Sequence, residues 1–427
     1  MNHTVEEIRL KNGSRGLLID VPGATTMSMQ FHFRAGNRYT KSKDIEQVAH
    51  IMEHMAFGAN SRYSTEQFEF EFTKNGAYRN AYTSGLSMVY EADCADFEWD
   101  RILDLQKLAI CQPKFNKEEL DAEKGNVRSE LTNYLNDHQR ILWPKVQQLL
   151  GEDVLTFRQS LPTIGNVSLS DVREHHRRTH TTNNMRFVIA GKMKGRKTEI
   201  RRQIEDFQLP EGERFEVPRD DLVKANPSLI RRKDATNLTF GLFMVLTREL
   251  NDEELDAMHY LNHILTGTMH SRIFGAARKK GLAYNIEAYA DVGFYDSGWD
   301  ITGQVNHEAA DELFDIITRE LKHVLNGKIN EAEVEAAKSF ALGRYQMGAQ
   351  TVSQISGFYT GRYFADGFIK DYTKVPEMIK NVTIERMVDT AREFIAEDKW
   401  VLAAVSSGEK QEIVDLNDKV ATLFESR

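Results

Sequence analysis

Two histidines and a glutamate lie close together in the stretch HIMEH, which runs from His50 to His54. The histidines are four residues apart, so on a helix both side chains project from the same face. Glu53 lies beside the second histidine. Two neutral imidazoles can hold a zinc ion while a neighbouring carboxylate takes a proton from water, as in zinc hydrolases with the H-x-x-E-H motif. The pattern predicts a metal site on a helix at roughly 44–57.

A second stretch, FNKEELDAEKGNVRSEL, predicts a helix that begins near Asn116 and carries two glutamates on its apolar side. Leu120 and Val127 mark the apolar stripe, and Glu123 and Glu130 fall inside it. A buried charge without a partner is costly, so inward carboxylates imply a cation, a metal or a hydrogen-bond network. Glutamates that reach water from the edge of the stripe are the alternative.

A further pair of histidines, His176 and His180, is also spaced four residues apart. Arginines surround this pair in EHHRRTH, and cations repel a metal ion. The stretch is therefore interpreted as a solvated helix face and not as a second metal site.

Composition and charge argue against several classes of protein. A chain of 427 residues is expected to form two or three domains, and a net charge of −9 argues against nucleic-acid binding. The sequence has no apolar N-terminal signal and no apolar run of membrane-spanning length, so no membrane association is expected. Its two cysteines form neither a metal spacing nor a disulfide framework. These features predict a cytoplasmic protein.

The second half of the chain repeats the first. Residues 25–54 align with 236–263, and further matches keep an offset of just over 200 residues. The segment 208–221, with two prolines, is interpreted as a linker between domains at 1–207 and 222–427. The fold expected is α+β, with two homologous domains. Each domain is expected to contain a mostly antiparallel sheet packed with helices.

The two halves differ at the residues that could do chemistry. Glu53 corresponds to Asn262, and Glu130 corresponds to Arg344. An amide cannot act as a base, and a guanidinium cannot bind zinc. The second half is therefore expected to keep the fold and lack the metal.

Motifs throughout the chain carry a family resemblance. They are HIMEHMAFGA, NGAYRNAYTS, the glutamate pair Glu123 and Glu130, LPTIGN, MRFVIAG, and SRIF followed by KKGLAY. Together they resemble the pitrilysin/insulinase family of zinc peptidases, in the short-chain branch similar to mitochondrial processing peptidase. The resemblance covers most of the chain.

The resemblance implies roles for particular residues around a single zinc ion per chain. His50, His54 and Glu130 would be the zinc ligands. Glu53 would be the general base, and Glu123 would support the site from behind the ligands.

The resemblance also implies how substrate would bind. Asn80 and Ala81 would lie on an edge strand that takes the peptide by β-addition. Tyr284 and Arg278 of the second half would contact the substrate carbonyl.

The function implied is that of a zinc-dependent endopeptidase acting on short or unfolded peptides in an enclosed chamber. Because full-length relatives have four such domains and this chain has two, a homodimer or a heterodimer with a related chain is expected. The alternative is a non-catalytic structural or assembly subunit of a heterodimeric peptidase.

Overall fold

The computed structural model describes residues 2–425 and divides into two compact units. The first unit contains the residues up to Asn133 together with two later segments, Phe157–Pro218 and Met347–Lys370. The second unit contains Tyr134–Thr156, Arg219–Gln346 and the residues from Asp371 onward. The chain crosses between the units at five places, and the crossing between Pro218 and Arg219 falls inside the segment 208–221.

The first unit is built on a six-stranded sheet in the order β1-β2-β6-β3-β5-β4. The pair β2–β6 is parallel, and all other neighbours are antiparallel. Because β4 is the last strand in this order, one of its edges has no strand partner among residues 2–425. The strands are β1 (Thr4–Arg9), β2 (Arg15–Asp20), β3 (Thr26–Phe33), β4 (Tyr78–Thr83), β5 (Met88–Ala95) and β6 (Arg186–Gly191).

The second unit contains a five-stranded sheet in the order β7-β11-β8-β10-β9. This is the order of the first sheet without a counterpart of β1, and again one pair, β7–β11, is parallel. The predicted fold class, α+β with mostly antiparallel sheets, is confirmed. The strands are β7 (Ser228–Arg231), β8 (Leu238–Leu246), β9 (Ala283–Val292), β10 (Ser297–Val305) and β11 (Lys399–Ser406).

The helices of the first unit begin at recognisable caps. The Ser64 hydroxyl accepts a hydrogen bond from the amide of Gln67, and the Asn116 side chain accepts one from the amide of Glu119 at 2.9 Å. The helices are α1 (Val48–Ala56), α2 (Thr65–Thr73), α3 (Trp99–Cys111), α4 (Lys117–Tyr134), α6 (Phe157–Asn166), α7 (Leu169–Thr179), α8 (Lys197–Glu205) and α13 (Val352–Ala365).

The helices of the second unit surround a core that includes two buried tryptophans, Trp299 and Trp400. No helix among residues 2–425 is both long and apolar enough to cross a membrane. The helices are α5 (His138–Leu150), α9 (Asp252–Thr266), α10 (Phe274–Lys279), α11 (His307–Leu325), α12 (Glu331–Met347), α14 (Val375–Asn381), α15 (Ile384–Glu397) and α16 (Lys410–Ala421).

Two helices lie outside the unit that the repeat in the sequence would assign to them. Helix α5 packs on β8 and β11 of the second unit, and α13 packs on β3 and β6 of the first. These central strands are buried on both faces, so each sheet needs an apolar helix on its second face. The compact units therefore differ from the predicted domains 1–207 and 222–427 in these two segments.

The interpretation of His176 and His180 as a solvated face is wrong. His180 is fully buried, its ring stacks on His176 at 4.4 Å, and its Nε2 lies 2.8 Å from the hydroxyl of Tyr90. Burial lowers the pKa of His176 to about 4, with a partial offset from the hydrogen bond to the carbonyl of Ile110. The arginines of this helix could not reveal that its histidines face the core.

Candidate metal centre and active site

Helix α1 presents His50 and His54 on one face, as their spacing requires. The opposite face, with Ile51, Met52 and Met55, is buried, and the helix packs against α7 and β4. The centroids of the two imidazole rings are 4.9 Å apart, and both side chains are partly exposed. Core packing therefore sets the direction of the helix, while its histidine face remains accessible.

Helix α4 brings Glu130 to the same place. Its Oε2 atom lies 3.4 Å from Nε2 of His50 and 3.5 Å from Nε2 of His54. One possible ligand atom from each of the three residues lies within 4.8 Å of the others. Among residues 2–425, no other cluster of three or more His, Cys, Asp or Glu side chains has this geometry.

The three donor atoms fit a zinc ion. Bonds of about 2.0–2.2 Å at tetrahedral angles place two ligand atoms roughly 3.3 Å apart. The separations of 3.4 and 3.5 Å from Glu130 to the two imidazoles are close to that value. Two imidazole nitrogens and one carboxylate oxygen are also a known donor set of catalytic zinc sites, in which a fourth position stays open.

The second nitrogen of each histidine is held by an acceptor. Nδ1 of His54 donates to Oε2 of Glu123 at 2.9 Å, and Nδ1 of His50 donates to Oε1 of Gln47 at 3.0 Å. The amide of Gln47 is oriented because its Nε2 donates to Oε2 of Glu46 at 2.6 Å. With both Nδ1 protons engaged, both Nε2 atoms face Glu130, where their lone pairs would be available to a metal ion.

The electrostatic environment of the cluster favours positive charge. Burial lowers the pKa of His54, but hydrogen bonds to Glu123 and Glu130 outweigh this and raise its pKa to about 10. The hydrogen bond from His54 in turn lowers the pKa of Glu123. A site that stabilises an imidazolium in this way also stabilises a divalent cation at the same point.

Glu53 stands beside this cluster and makes no ligand contact in it. Burial raises the pKa of its carboxyl, and the positive charges of His50 and His54 partly offset the increase. A carboxylate with a raised pKa accepts a proton more readily at neutral pH than an exposed one. The position and the raised pKa suit the role of a general base.

The other residues predicted to bind substrate lie in two places. Asn80 and Ala81 are on edge strand β4, which neighbours α1, and the Asn80 amide donates to Oε1 of Glu91 at 3.0 Å. In the second unit, the guanidinium of Arg278 lies over the ring of Tyr284 at 4.4 Å, and Tyr284 is 79% exposed. The structure thus brings Arg278 and Tyr284 to each other, on a solvent-facing surface.

Two family models match the chain and together cover more than half of it. Residues 16–151 match the model described as insulinase, peptidase family M16, and residues 166–340 match the one described as peptidase M16 inactive domain. The chain belongs to the M16 peptidase family. The first match contains the whole cluster formed by α1 and α4. The second match contains α9, the counterpart of α1.

Relatives agree with the M16 assignment. A protein of Rickettsia felis named as an uncharacterized zinc protease is 24% identical over 91% of this chain and 94% of its own length. Mitochondrial-processing peptidase subunit beta of Caenorhabditis elegans is 29% identical over 31% of this chain and 29% of its own. A peptidase M16 inactive domain from Pseudomonas fluorescens shares the fold, with a TM-score of 0.84 and 15% identity over 95% of this chain and 99% of that one. At family level, this M16 chain is a zinc-protease-like protein.

Sequence reasoning missed Gln47 and Glu46, which fix the orientation of His50. The signal was available, because Gln47 precedes His50 by three residues and such pairs meet on a helix. Glu119, in the first turn of α4, accepts hydrogen bonds through its carboxylate from the amide of Ala59 at 2.8 Å and from the hydroxyl of Thr65. It therefore ties α4 to the loop that follows α1.

Proposed function

We propose that the chain is a zinc-dependent endopeptidase whose active site is the H-x-x-E-H helix of the first unit. His50, His54 and Glu130 are the ligands, and Glu53 is the general base. The observation that carries this proposal is the convergence of both Nε2 atoms on one oxygen of Glu130, with Glu53 adjacent. The zinc proteases among the relatives support it at family level.

The chain's own residues divide the work of peptide hydrolysis. When bound, zinc would polarise the scissile carbonyl and lower the pKa of a water towards about 7. Glu53 takes the proton from that water and later returns it to the leaving amine. Glu123 and Gln47 keep the two imidazoles in the tautomer and orientation that ligation needs.

Substrate is proposed to bind as an added strand. The open edge of β4 offers backbone groups to an extended peptide beside Asn80 and Ala81, so short or unfolded peptides fit better than folded proteins. Arg278 and Tyr284 would supply a cation and a hydroxyl to a substrate carbonyl. An enclosed chamber formed by two chains, as a homodimer or with a related chain, completes the proposal. The cytoplasmic location also stays a prediction.

The proposal is tested by measuring bound zinc and peptide cleavage together. Wild-type protein should hold about one zinc per chain and cleave members of an unfolded peptide library. Glu53→Gln should retain zinc and lose about 10²–10⁴ of the rate, the usual contribution of a general base. Glu118→Gln, a matched change at an exposed position of α4, should cleave normally.

Two outcomes would reject the proposal. Full activity of the Glu53→Gln variant would remove Glu53 from the mechanism. Zinc binding by the wild type without cleavage of any peptide, alone or with a related chain, would instead favour a non-catalytic subunit.

A further inference from the structure

The second unit contains a cavity of about 840 Å³. It lies beside α9 and α12 and reaches over edge strand β9 to the sheet face that α5 covers. Its size is within the range of sites that bind small molecules. The proposed chemistry of the first unit does not use it.

One carboxyl group in this cavity is buried without a partner. Asp300 is 8% exposed and lines the cavity. No residue in the described part of the chain forms a hydrogen bond or ion pair with its side chain. Burial, followed by repulsion from Asp291, raises the pKa of Asp300 well above its usual value. An isolated buried carboxyl of this kind is costly for the fold, and a bound cation would offset the cost.

The register of the sheet fixes what surrounds Asp300. Its neighbour Trp299 points to the core and donates to Asn262 of α9, so Asp300 points to the opposite face. Phe243 lies directly across from Asp300 on β8, and Tyr289 lies directly across on β9. Asp300 therefore shares this sheet face with two aromatic residues, one on each neighbouring strand.

Further aromatic and acidic groups complete the cavity wall. The ring of Trp143, from α5, lies 5.3 Å from that of Phe243 and is 45% exposed. Glu287, an exposed residue two positions before Tyr289 on β9, adds a carboxylate at the rim. Aromatic faces combined with carboxylates bind organic cations, because the ring quadrupole and the negative charge both attract them.

We propose that this cavity binds a guanidinium or primary ammonium group, as carried by an arginine or lysine side chain. An inorganic divalent ion is a poorer fit, because these residues do not form a cluster of three metal donors in the described structure. Arg344 also lines the cavity, from α12, but makes no ion pair with these carboxylates within residues 2–425. It leaves Asp300 available to an incoming cation.

Calorimetry with a matched pair of probes tests the site. N-acetyl-arginine methylamide should bind the wild-type chain at least about tenfold more tightly than the neutral citrulline analogue. Asp300→Asn keeps the shape and should weaken arginine binding by about tenfold to a hundredfold, as for loss of a charged hydrogen bond. Asp418→Asn, the same change at an exposed position of α16, should leave binding unchanged.

A second variant tests the site even if Asp300→Asn fails to fold. Glu287→Gln lies at the exposed rim, and it should weaken arginine binding by about twofold to fivefold. Butylguanidinium serves as a probe without peptide bonds. Tighter binding of the arginine derivative identifies a peptide side chain as the ligand, and equal binding identifies a free cation.

Three results would overturn the proposal: no binding of either cation, equal affinity for arginine and citrulline probes, or unchanged affinity in both Asp300→Asn and Glu287→Gln. Binding should also be the same in Glu53→Gln. The site can therefore fail or succeed independently of the proposed peptidase activity.

Discussion

Helix α1 of the first unit and its counterpart α9 in the second unit have different roles. In the first, α1 directs His50 and His54 to a glutamate of α4. In the second, the ring of His263 stacks on Phe340 of α12 at 4.1 Å, and Arg344 takes the place of the ligand glutamate. Apart from β1 the two sheets share one strand order, so this fold does not depend on the three candidate ligands of the first unit.

The position of the general base holds a residue with a packing role in the second unit. Asn262, the counterpart of Glu53, is buried, and its carbonyl oxygen accepts a hydrogen bond from Nε1 of Trp299 at 2.9 Å. Glu53 has no such structural bond to a core tryptophan and keeps a raised pKa. A group cannot be both a satisfied core acceptor and a free proton acceptor.

Substitution of the ligand Glu130 should have the largest effect on zinc affinity, and its counterpart Arg344 is the control. Glu130→Gln removes a charged ligand and should lower zinc affinity by more than about a hundredfold, beyond the loss typical of outer-shell partners. Arg344→Gln, the matched change in the second unit, should leave zinc affinity unchanged. Metal content measured against a competing chelator checks both, and zinc retained by Glu130→Gln would refute the ligand assignment.

Acid should weaken the first unit more than the second. Burial lowers the pKa of His175 to about 4, so between pH 6.5 and 4 the unfolded chain binds a proton that the folded unit does not. Stability is then lost as pH falls, by about 3 kcal/mol for this residue. Asp300 has the opposite shift, and its cost to the second unit falls on acidification.

Hydrogen exchange at pH 7 and pH 4.5 measures this difference in each unit. Amides of β6 should lose more protection than those of β10. His175→Gln should reduce the pH dependence of the first unit. Equal loss of protection in both units would contradict the difference in buried titratable groups.

Removal of the support behind His54 should have a smaller effect. Glu123→Ala frees Nδ1 of His54 and should lower zinc affinity by about tenfold to a hundredfold. Glu123→Gln keeps an acceptor and should recover part of the loss, whereas Glu118→Ala on the same helix should have no effect. If Glu123→Ala binds zinc normally, the 2.9 Å bond does not orient the ligand.

The smallest expected effect is a loss of stability in the second unit, with no change in zinc binding. Asn262→Leu leaves Nε1 of Trp299 without an acceptor in the core and should lower the free energy of unfolding by about 1–3 kcal/mol. Adding Trp299→Phe removes the unmatched donor and should recover part of that loss. Zinc content should stay the same, and denaturant unfolding measures the stability. A large loss of zinc in Asn262→Leu would show that zinc binding by the first unit depends on the core of the second.

Local spacing was enough to locate the candidate site. The separation of His50 and His54 places both on one helix face whatever the rest of the fold does, because helical periodicity is local. The stripe of α4 likewise predicted that Glu123 and Glu130 point inward. The distance between the two helices, however, depends on contacts far apart in sequence.

Other features depended on packing between distant segments. Nothing in EHHRRTH distinguishes a solvated helix from one whose histidines contact Tyr90 and Phe33, since the partners lie far away in the chain. The placement of α5 and α13 is of the same kind. Either helix could cover either sheet, and only the tertiary structure decides which pairing forms.

The sequence alone determined the metal-binding pattern, the repeat and the loss of that pattern in the second copy, because each rests on residue type and spacing. Only the tertiary structure decided that the two Nε2 atoms meet one oxygen of Glu130, and that Gln47 holds His50. It alone placed Asp300 beside Phe243 and Tyr289 on one face of the second sheet. Distances and burial arise from long-range packing, which local spacing does not encode.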